Sequence, residues 1–429
     1  MTMVDISDKV VPDALYRKVG SRILPLLVVC YVFAYLDRVN IGFAKLQMTT
    51  DIGISESVYG LAAGIFFLGY VLFEVPSNLL LQRIGTRKTV FRIMLLWGLT
   101  SASMLFVHDS TSFYVLRFLL GVFEAGFAPG IIFYLTYWYP PARMAAAMSV
   151  LMIPGPLGSM IGGPLSSLVL TAFDGGLGLA GWQWMFLVEG LPCVLLAFVV
   201  WKVLPDGPAD ARWLTPAEKA RIAADVAGPG ATRHHSFRRV LTDPKVYALA
   251  IGYFCLISGL YAVSFWLPTI LRENGVASSI HIGLWTAVPY ACSLVLMFWL
   301  SRRSDRRGER RLHSAVPALV AAAALAVAAL TAQSFAVSML ALVIATAAMW
   351  GSYTVFWAIP SAYLTDTAAA GGIALINSIG LLGGFFSPTL IGYVKQATGS
   401  TETGLLSMVA LLLIGGLLIL FTKLRNEAR

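Results

Sequence analysis

Long apolar segments separated by short polar ones follow one another along almost the whole chain. Each segment is about 18 to 28 residues long, enough for a helix to cross a hydrocarbon core of roughly 30 Å. Pro and Gly interrupt several segments, which membrane helices tolerate because neighbouring helices satisfy the freed backbone groups. The pattern predicts twelve membrane-spanning helices, near 22–45, 57–81, 88–107, 112–138, 143–171, 183–204, 245–271, 280–301, 312–332, 335–364, 369–394 and 403–423.

A polar stretch divides these segments into two sets of six. Within it, Thr215 and Glu218 have the spacing of a capping box, and Gly228, Pro229 and Gly230 follow, so a short helix is expected between them. We therefore predict an N-terminal six-helix bundle at 1–204, a cytoplasmic linker with a short amphipathic helix at 205–244, and a C-terminal six-helix bundle at 245–429.

The two halves also repeat each other. QRIGTRK at 82–88 and DRRGERR at 305–311 share a pattern at an offset of 223 residues, which also relates Gly60 to Gly283. If the offset holds in the first helix of each half, it relates Arg38 to Tyr261. Repeated halves are typical of secondary transporters, which bind substrate between the repeats near the middle of the membrane. The predicted fold class is all-α, with two pseudo-symmetric six-helix bundles.

Composition and charge agree with a membrane protein. The chain is 58% hydrophobic and only 12% charged, whereas soluble domains are about 25% charged. All but five of the 31 Lys and Arg residues fall on one side of the predicted helices. The positive-inside rule therefore predicts cytoplasmic termini and a cytoplasmic linker, in a cell inner membrane. The net charge of +9 thus implies no nucleic-acid partner; the lipid bilayer is the expected surrounding, and a monomer is expected.

Other kinds of chemistry lack their residue patterns. All four cysteines lie in apolar segments, with no CxxC pair and no metal-ligand spacing, so we predict no disulfide and no metal site. There is no phosphate-binding loop pattern and no catalytic nucleophile set. We therefore predict that the chain is not an enzyme and uses no cofactor apart from protons as a coupling ion.

Four charged residues interrupt apolar segments: Asp37 and Arg38 in the first, and Arg117 and Glu124 in the fourth. An ionisable group at membrane depth costs about 3 kcal/mol on insertion scales and usually marks a transport pathway. Arg117 and Glu124 are seven residues apart, on one face of a helix. Adjacent residues point roughly 100° apart, so Asp37 and Arg38 should pair across to the fourth helix rather than with each other.

These four charges sum to zero, and one substrate carboxylate would leave an excess negative charge. Moving that charge inward against the membrane potential costs about 2.3 kcal/mol per 100 mV, so a proton must accompany it. We predict that Asp37 and Glu124 carry protons, whereas Arg38 and Arg117 hold the substrate anion or lock these acids between transport cycles. The alternative is a purely structural ion pair that locks two helices together.

Longer motifs carry a family resemblance. The loop pattern noted above, YLDRVNIGFA in helix 1, EVPSNLLLQRIGTR after helix 2, LRFLLGVFEAGFAPG in helix 4 and GWQWMFLVEG in helix 6 resemble the major facilitator superfamily. Within it they are similar to the anion:cation symporter family, which includes bacterial proton symporters of tartrate, phthalate, hydroxyphenylacetate and sugar acids. The resemblance implies a small organic anion as substrate.

The resemblance also implies further site residues. The aromatic residue two before the helix 1 aspartate is Tyr35, the helix 2 tyrosine is Tyr70, and the helix 11 asparagine is Asn377. In helix 10 the nearest counterparts of the family's substrate contacts are Thr354 and Trp357. With Tyr261, these residues make up the predicted substrate-binding set, in which the second half contacts the uncharged part of the substrate.

Departures from the family pattern leave the substrate open. Helix 5 reads MIPGPLGSMIGGP, without the polar side chain that some members use, and helix 7 lacks the extra arginine of others. An anion exchanger or facilitator, or a ligand sensor of the same fold, are the alternatives to a symporter. For Glu74, two turns from the predicted cytoplasmic end of helix 2, we weigh a gate salt bridge or a helix-cap contact above substrate binding.

Overall fold

The computed structural model describes residues 6–227, 241–364 and 366–422. Within these ranges it contains twelve helices long and apolar enough to span a membrane, which confirms the predicted all-α fold class. We number them 1 to 12 in chain order. Their membrane-spanning parts are Ala14–Asp51, Glu56–Ile84, Thr86–Phe106, Ser110–Thr136, Ala146–Ala172, Gly181–Val203, Pro244–Glu273, Ser279–Arg307, Arg311–Leu330, Phe335–Ser361, Gly371–Thr398 and Thr401–Phe421. The first helix itself begins at Ile6 and the eleventh at Asp366.

The helices assemble into two bundles of six. In the first bundle, helix 1 packs against helices 5 and 6, helix 2 against helix 4, and helix 3 against helix 6. The second bundle repeats this arrangement: helix 7 packs against helices 11 and 12, helix 8 against helix 10, and helix 9 against helix 12. Helices 2 and 11, and helices 5 and 8, join the bundles.

Glycines allow the two bundles to approach closely. A Cβ on Gly60 of helix 2 would lie 2.4 Å from the carbonyl oxygen of Pro388 on helix 11. A Cβ on Gly283 of helix 8 would lie 2.5 Å from the carbonyl oxygen of Gly163 on helix 5. These distances leave no room for a side chain, so glycine is required at both positions. The 223-residue repeat therefore places equivalent glycines at two equivalent contacts between the halves.

The linker helix, Pro216–Ala227, has the capping box expected from the sequence. The Thr215 amide donates to Glu218 Oε2 at 2.8 Å, and the Glu218 amide donates to Thr215 Oγ1 at 3.2 Å. Glu218 also pairs with Lys18 Nζ at 2.8 Å, which attaches the linker helix to the start of helix 1. The predicted stop at Gly228, Pro229 and Gly230 lies outside the described residues. We call the end of the bundle that carries this helix the linker end.

The two copies of the repeated loop motif form turns at the linker end. Gly85 and Gly308 both have positive φ, at 89° and 65°, and each ends the preceding helix. Glycine adopts this conformation without the steric strain that a Cβ would cause. In the second copy, Glu309 accepts hydrogen bonds from the backbone amides of Leu312 at 2.6 Å and His313 at 3.1 Å. Partial burial alone would raise the pKa of Glu309, but these hydrogen bonds outweigh it and lower that pKa.

Glu309→Gln should lower the melting temperature at pH 7, because the first amides of helix 9 lose a charged acceptor worth about 1 kcal/mol. A carboxyl whose pKa is lower in the folded than in the unfolded state stabilises the fold above its unfolded pKa. That stabilisation disappears as pH falls through the folded pKa. The difference between wild type and variant should therefore decrease as pH falls below about 4, and a difference that does not decrease between pH 7 and the acid limit of the fold would contradict this role.

Candidate functional site

Arg38 lies at the centre of the molecule, between the two bundles. Its side chain is buried, and both Nε and Nη2 donate to Glu124 Oε1 of helix 4, the former at 2.8 Å. Three aromatic rings surround the guanidinium carbon within 5.5 Å: Tyr35, Phe66 and Tyr70. The expected pairing of helix 1 with helix 4 is therefore made by Arg38, inside an aromatic shell that contributes cation–π attraction.

Arg38 also reaches the second bundle. Its Nη1 donates to the Tyr261 hydroxyl at 3.0 Å, and these residues are 223 positions apart. Residues related by a pseudo-twofold axis meet when both lie next to that axis. Arg38, the cation of the ion pair with Glu124, is thus hydrogen-bonded to both halves next to the axis that relates them.

A break in helix 4 positions Glu124. The helix consists of Ser110–Glu124 and Phe127–Thr136, and Gly126 between them has a φ of 85°. A Cβ on Gly126 would lie 2.6 Å from Ser77 of helix 2, so glycine suits both the turn and the close approach. Glu124 is therefore the last residue of a helical segment, and its Oε2 has no hydrogen-bond partner among the described residues.

Arg117 lies on the same face of helix 4 but has different partners. Its guanidinium donates to the backbone carbonyls of Ala62 at 3.2 Å and Ala63 at 3.3 Å in helix 2. Its Nη1 has no partner within the described residues. Gly121, one turn along, permits this contact, because a Cβ there would be 1.9 Å from the carbonyl of Phe66. Arg117 therefore binds backbone carbonyls and not Glu124.

Asp37 faces away from Arg38, as the angle between adjacent helical residues requires. Trp97 Nε1 and Ser101 Oγ of helix 3 donate to its carboxylate, and Asn40 Nδ2 donates at 3.0 Å. These donors are neutral, and the carboxylate is buried inside the first bundle. The four predicted charges thus occupy three separate surroundings, and only Arg38 and Glu124 form an ion pair with each other.

The remaining predicted residues are divided between the centre and the second bundle. Tyr35 packs on Trp350 of helix 10 with ring centroids 6.0 Å apart. Thr354 donates to the carbonyl of Trp350 in its own helix, and Trp357 packs on Tyr253 within the second bundle. In the described residues, helix 10 therefore reaches the first bundle through Trp350, one turn before Thr354.

Asn377 contacts the first bundle directly. Its Nδ2 donates to Glu74 Oε1 of helix 2 at 3.0 Å. Glu74 is 8% exposed, and its other oxygen has no partner within the ranges that the structure describes. Glu74 therefore makes a contact between the two halves, as a gate residue would. Its partner, Asn377, is a residue that the family resemblance assigns to substrate binding.

Four charged side chains join the halves at the end opposite the linker, and we call them the latch: Lys45, Glu56, Glu273 and Lys395. Glu56 forms ion pairs with Lys45 at 2.7 Å and with Lys395 at 3.1 Å, and Lys395 pairs with Glu273 at 2.6 Å. Lys45 also lies 3.9 Å above the ring of Trp266. This network is not among the contacts expected from the sequence. The available signal was two lysines on the side that has few basic residues, each near a glutamate at a helix end.

The chain is similar to known proteins over most of its length. Residues 27–388 match the Major Facilitator Superfamily. The chain is 44% identical over 410 residues to the candidate metabolite transport protein NicT of Pseudomonas putida, covering 95% of this chain and 94% of that protein. It is 47% identical over 408 residues to a candidate tartrate transporter of Agrobacterium vitis, covering 94% and 90%.

A solved structure supports the fold. The crystal structure of a bacterial homologue of the human lysosomal transporter Spinster, inward-facing and unoccupied, has a TM-score of 0.75. It is 18% identical and covers 94% of this chain and 96% of that one, so the likeness concerns the fold alone. With twelve apolar helices and relatives named as transporters, the chain belongs to the Major Facilitator Superfamily and is a multi-pass membrane transporter rather than an enzyme.

Proposed function

We propose that this protein takes up a small organic carboxylate together with protons, by alternating access, as a member of the anion:cation symporter branch. The observation that carries the proposal is the Arg38 guanidinium, which is buried between the halves and bonded to one oxygen of Glu124. A guanidinium matches a carboxylate with two parallel hydrogen bonds. A substrate acid can therefore replace Glu124 on Arg38 without changing the type of contact.

Displacement of Glu124 supplies the coupling. A buried carboxylate that loses its arginine is left in a low-dielectric region without a counter-charge, and it binds a proton more readily there. The substrate then enters with a proton, which offsets the electrical cost of moving an anion inward. We assign proton transfer to Glu124 and Asp37, and substrate contacts to Arg38, Arg117, Tyr35, Tyr70, Tyr261, Thr354, Trp357 and Asn377.

The orientation belongs to the proposal as well. The basic residues at the linker end support an orientation in which both termini and the linker are cytoplasmic, in a cell inner membrane. Both halves of a single chain contribute to the site, which supports transport by a monomer without a metal or organic cofactor. Tartrate is a suitable first probe, since a relative is named as a candidate transporter of it.

Uptake by purified protein in proteoliposomes tests the proposal. A pH gradient alone, acidic outside, should concentrate labelled tartrate inside, and phthalate, hydroxyphenylacetate, glucarate or galactonate should compete if they share the site. Exchange of preloaded tartrate without gradient-driven accumulation would identify an exchanger, and binding without uptake would identify a sensor. A response only to neutral or cationic compounds would overturn the organic-anion substrate.

Glu124→Gln should abolish proton-driven accumulation while tartrate exchange across the membrane continues. Glutamine still accepts a hydrogen bond from Arg38 but cannot carry a proton through the cycle. Both activities are measured in the same proteoliposomes. Glu402→Gln, at the start of helix 12 and away from the central site, is the matched control. Full proton-driven accumulation by the Glu124 variant would remove this residue from the coupling mechanism.

A further inference from the structure

The contact between Glu74 and Asn377 occupies a donor that the proposed function reserves for substrate. Asn377 Nδ2 donates to Glu74 Oε1 at 3.0 Å across the two halves. A substrate carboxylate and the Glu74 carboxylate are both acceptors, and two ionised carboxylates at the same amide would repel each other. An acidic side chain of the protein therefore occupies the amide that an acidic ligand would contact.

Glu74 lies next to the central site. It follows Tyr70 by four residues on the same face of helix 2, and the Tyr70 ring lies 5.3 Å from the Arg38 guanidinium carbon. Arg38, Tyr70, Glu74 and Asn377 thus form a row that leads from the ion pair toward the linker end.

The surroundings of Glu74 offer it little compensation for burial. Its second oxygen has no hydrogen-bond partner among the described residues, although that oxygen is shielded from solvent. An ionised carboxylate in such a place is costly unless it is paired. A proton on Glu74 would remove that cost.

Within the part of the chain that the structure describes, the charged groups on the neighbouring helices do not pair with Glu74. Arg38 of helix 1 exerts the nearest favourable field but is bonded to Glu124 of helix 4. Arg117 of helix 4 binds carbonyls of helix 2, and Arg92 of helix 3 donates to Ser77 at 3.0 Å. From helix 11, the described partner is the neutral Asn377.

We propose that Glu74 is an internal carboxylate that occupies Asn377 in the empty transporter, and that it releases Asn377 and takes up a proton when the substrate acid binds. The proposal rests on the organic-anion function proposed above. Two carboxylates at one amide repel each other strongly in a low-dielectric site. The proton comes from the aqueous phase to which the site is open when substrate enters. Substrate binding is then linked to one proton in addition to that on Glu124.

Tartrate binding as a function of pH tests this linkage. In wild type, affinity should fall as pH rises, because Glu74 must be protonated for substrate to bind. Glu74→Gln imitates the protonated form. It should bind tartrate at least tenfold more tightly than wild type at pH 8.5, and the slope of log Kd against pH should decrease by up to one. Asn377→Ala should act in the opposite direction and weaken binding, because it removes the donor itself.

The opposite signs separate this role from a simple clasp between the halves. A purely structural contact would be weakened by Glu74→Gln, which loses the charged acceptor, and removed by Asn377→Ala. Both variants would then change tartrate affinity in the same direction and leave the pH slope unchanged; either result overturns the proposal. Titration calorimetry in detergent supplies Kd, with Glu402→Gln as the control that keeps the wild-type slope. If Glu74→Gln does not fold, Glu74→Asp, which withdraws the carboxylate from Asn377 but stays ionisable, should keep the slope.

Wild type also separates the two proposals. Wild-type protein that binds none of the tested acids contradicts the organic-anion function, and this inference with it. Wild-type binding with an unchanged slope in Glu74→Gln contradicts only the role of Glu74.

Discussion

Replacing Arg38 with lysine should reduce tartrate uptake at least about 100-fold, although the positive charge is retained. Arg38 donates two hydrogen bonds to Glu124 and one to Tyr261, whereas an ammonium group is a compact point charge without the planar fork. Loss of one or two charge-assisted bonds of about 1.5–3 kcal/mol each is sufficient for this decrease. Initial rates of uptake in proteoliposomes measure it.

Arg221→Lys is the matched control. Arg221 lies on the exposed surface of the linker helix, where it pairs with Asp225 at 3.0 Å, and exposed pairs of this kind contribute at most about 1 kcal/mol. Its uptake rate should stay within a factor of two of wild type. If Arg38→Lys transports as fast as this control, fork geometry plays no part in substrate binding, and the displacement of Glu124 by a substrate acid loses its basis.

Replacing Gly60 with leucine should hold the transporter open at the end opposite the linker and reduce uptake at least about tenfold. The added Cβ alone would lie 2.4 Å from the Pro388 carbonyl and 2.9 Å from Gly392 Cα, so helices 2 and 11 could not close. Overpacking of about 1–3 kcal/mol against the closed state corresponds to roughly 5- to 150-fold in its population. The same movement would separate Glu56 from Lys395, the ion pair of the latch that joins the two halves.

Spin labels at Leu177 and Leu330 report this opening. Both residues are highly exposed, at 90% and 73%. Leu177 lies in the turn between helices 5 and 6, and Leu330 is the last residue of helix 9 in the other half, at the same end. In a cysteine-free background, Gly60→Leu should lengthen the distance between the labels while tartrate still binds. Gly207→Leu is the control, because a Cβ there meets no atom within 4 Å. An unchanged label distance in the Gly60 variant would mean that this glycine contact does not govern closure.

In the proposed site, acidic side chains of the protein compete with the substrate for the same donors. Glu124 occupies Arg38 and Glu74 occupies Asn377, so each proposed substrate contact is held by an acid of the protein. The substrate has to displace both acids, and each displaced acid is suited to accept a proton. The latch closes the end opposite the linker, so it has to open before substrate can enter from that side and begin this exchange.

Much of the fold could be predicted from the sequence. Twelve helices follow from the length and hydropathy of each apolar segment, which are local properties, although several helices extend beyond the predicted limits. Helix 1 already begins at Ile6 and not near residue 22, because its first turns are polar and include Lys18, which pairs with Glu218 of the linker helix. The repeat also predicted that Arg38 and Tyr261 correspond, and they are hydrogen-bonded at 3.0 Å.

The partners of the individual charges could not be predicted in the same way. Asp37, Arg38, Arg117 and Glu124 have similar sequence signals, yet only Arg38 and Glu124 pair, while Asp37 binds neutral donors and Arg117 binds carbonyls. Burial of a charge depends on which helices surround it, and those helices come from distant parts of the chain. Glu74 and Asn377 are 303 residues apart, and no local pattern relates them.

The sequence by itself determined that this protein crosses the membrane twelve times in two related halves with charges at depth. Hydropathy, spacing and repetition are sufficient for that, because each acts along the chain. Only the tertiary structure decided that Arg38 bridges the halves, that Glu74 occupies Asn377 and that four charges form the latch. The reason is geometric: hydrogen bonds and ion pairs act over about 3 to 4 Å, and contacts between distant segments exist only once the bundles have assembled.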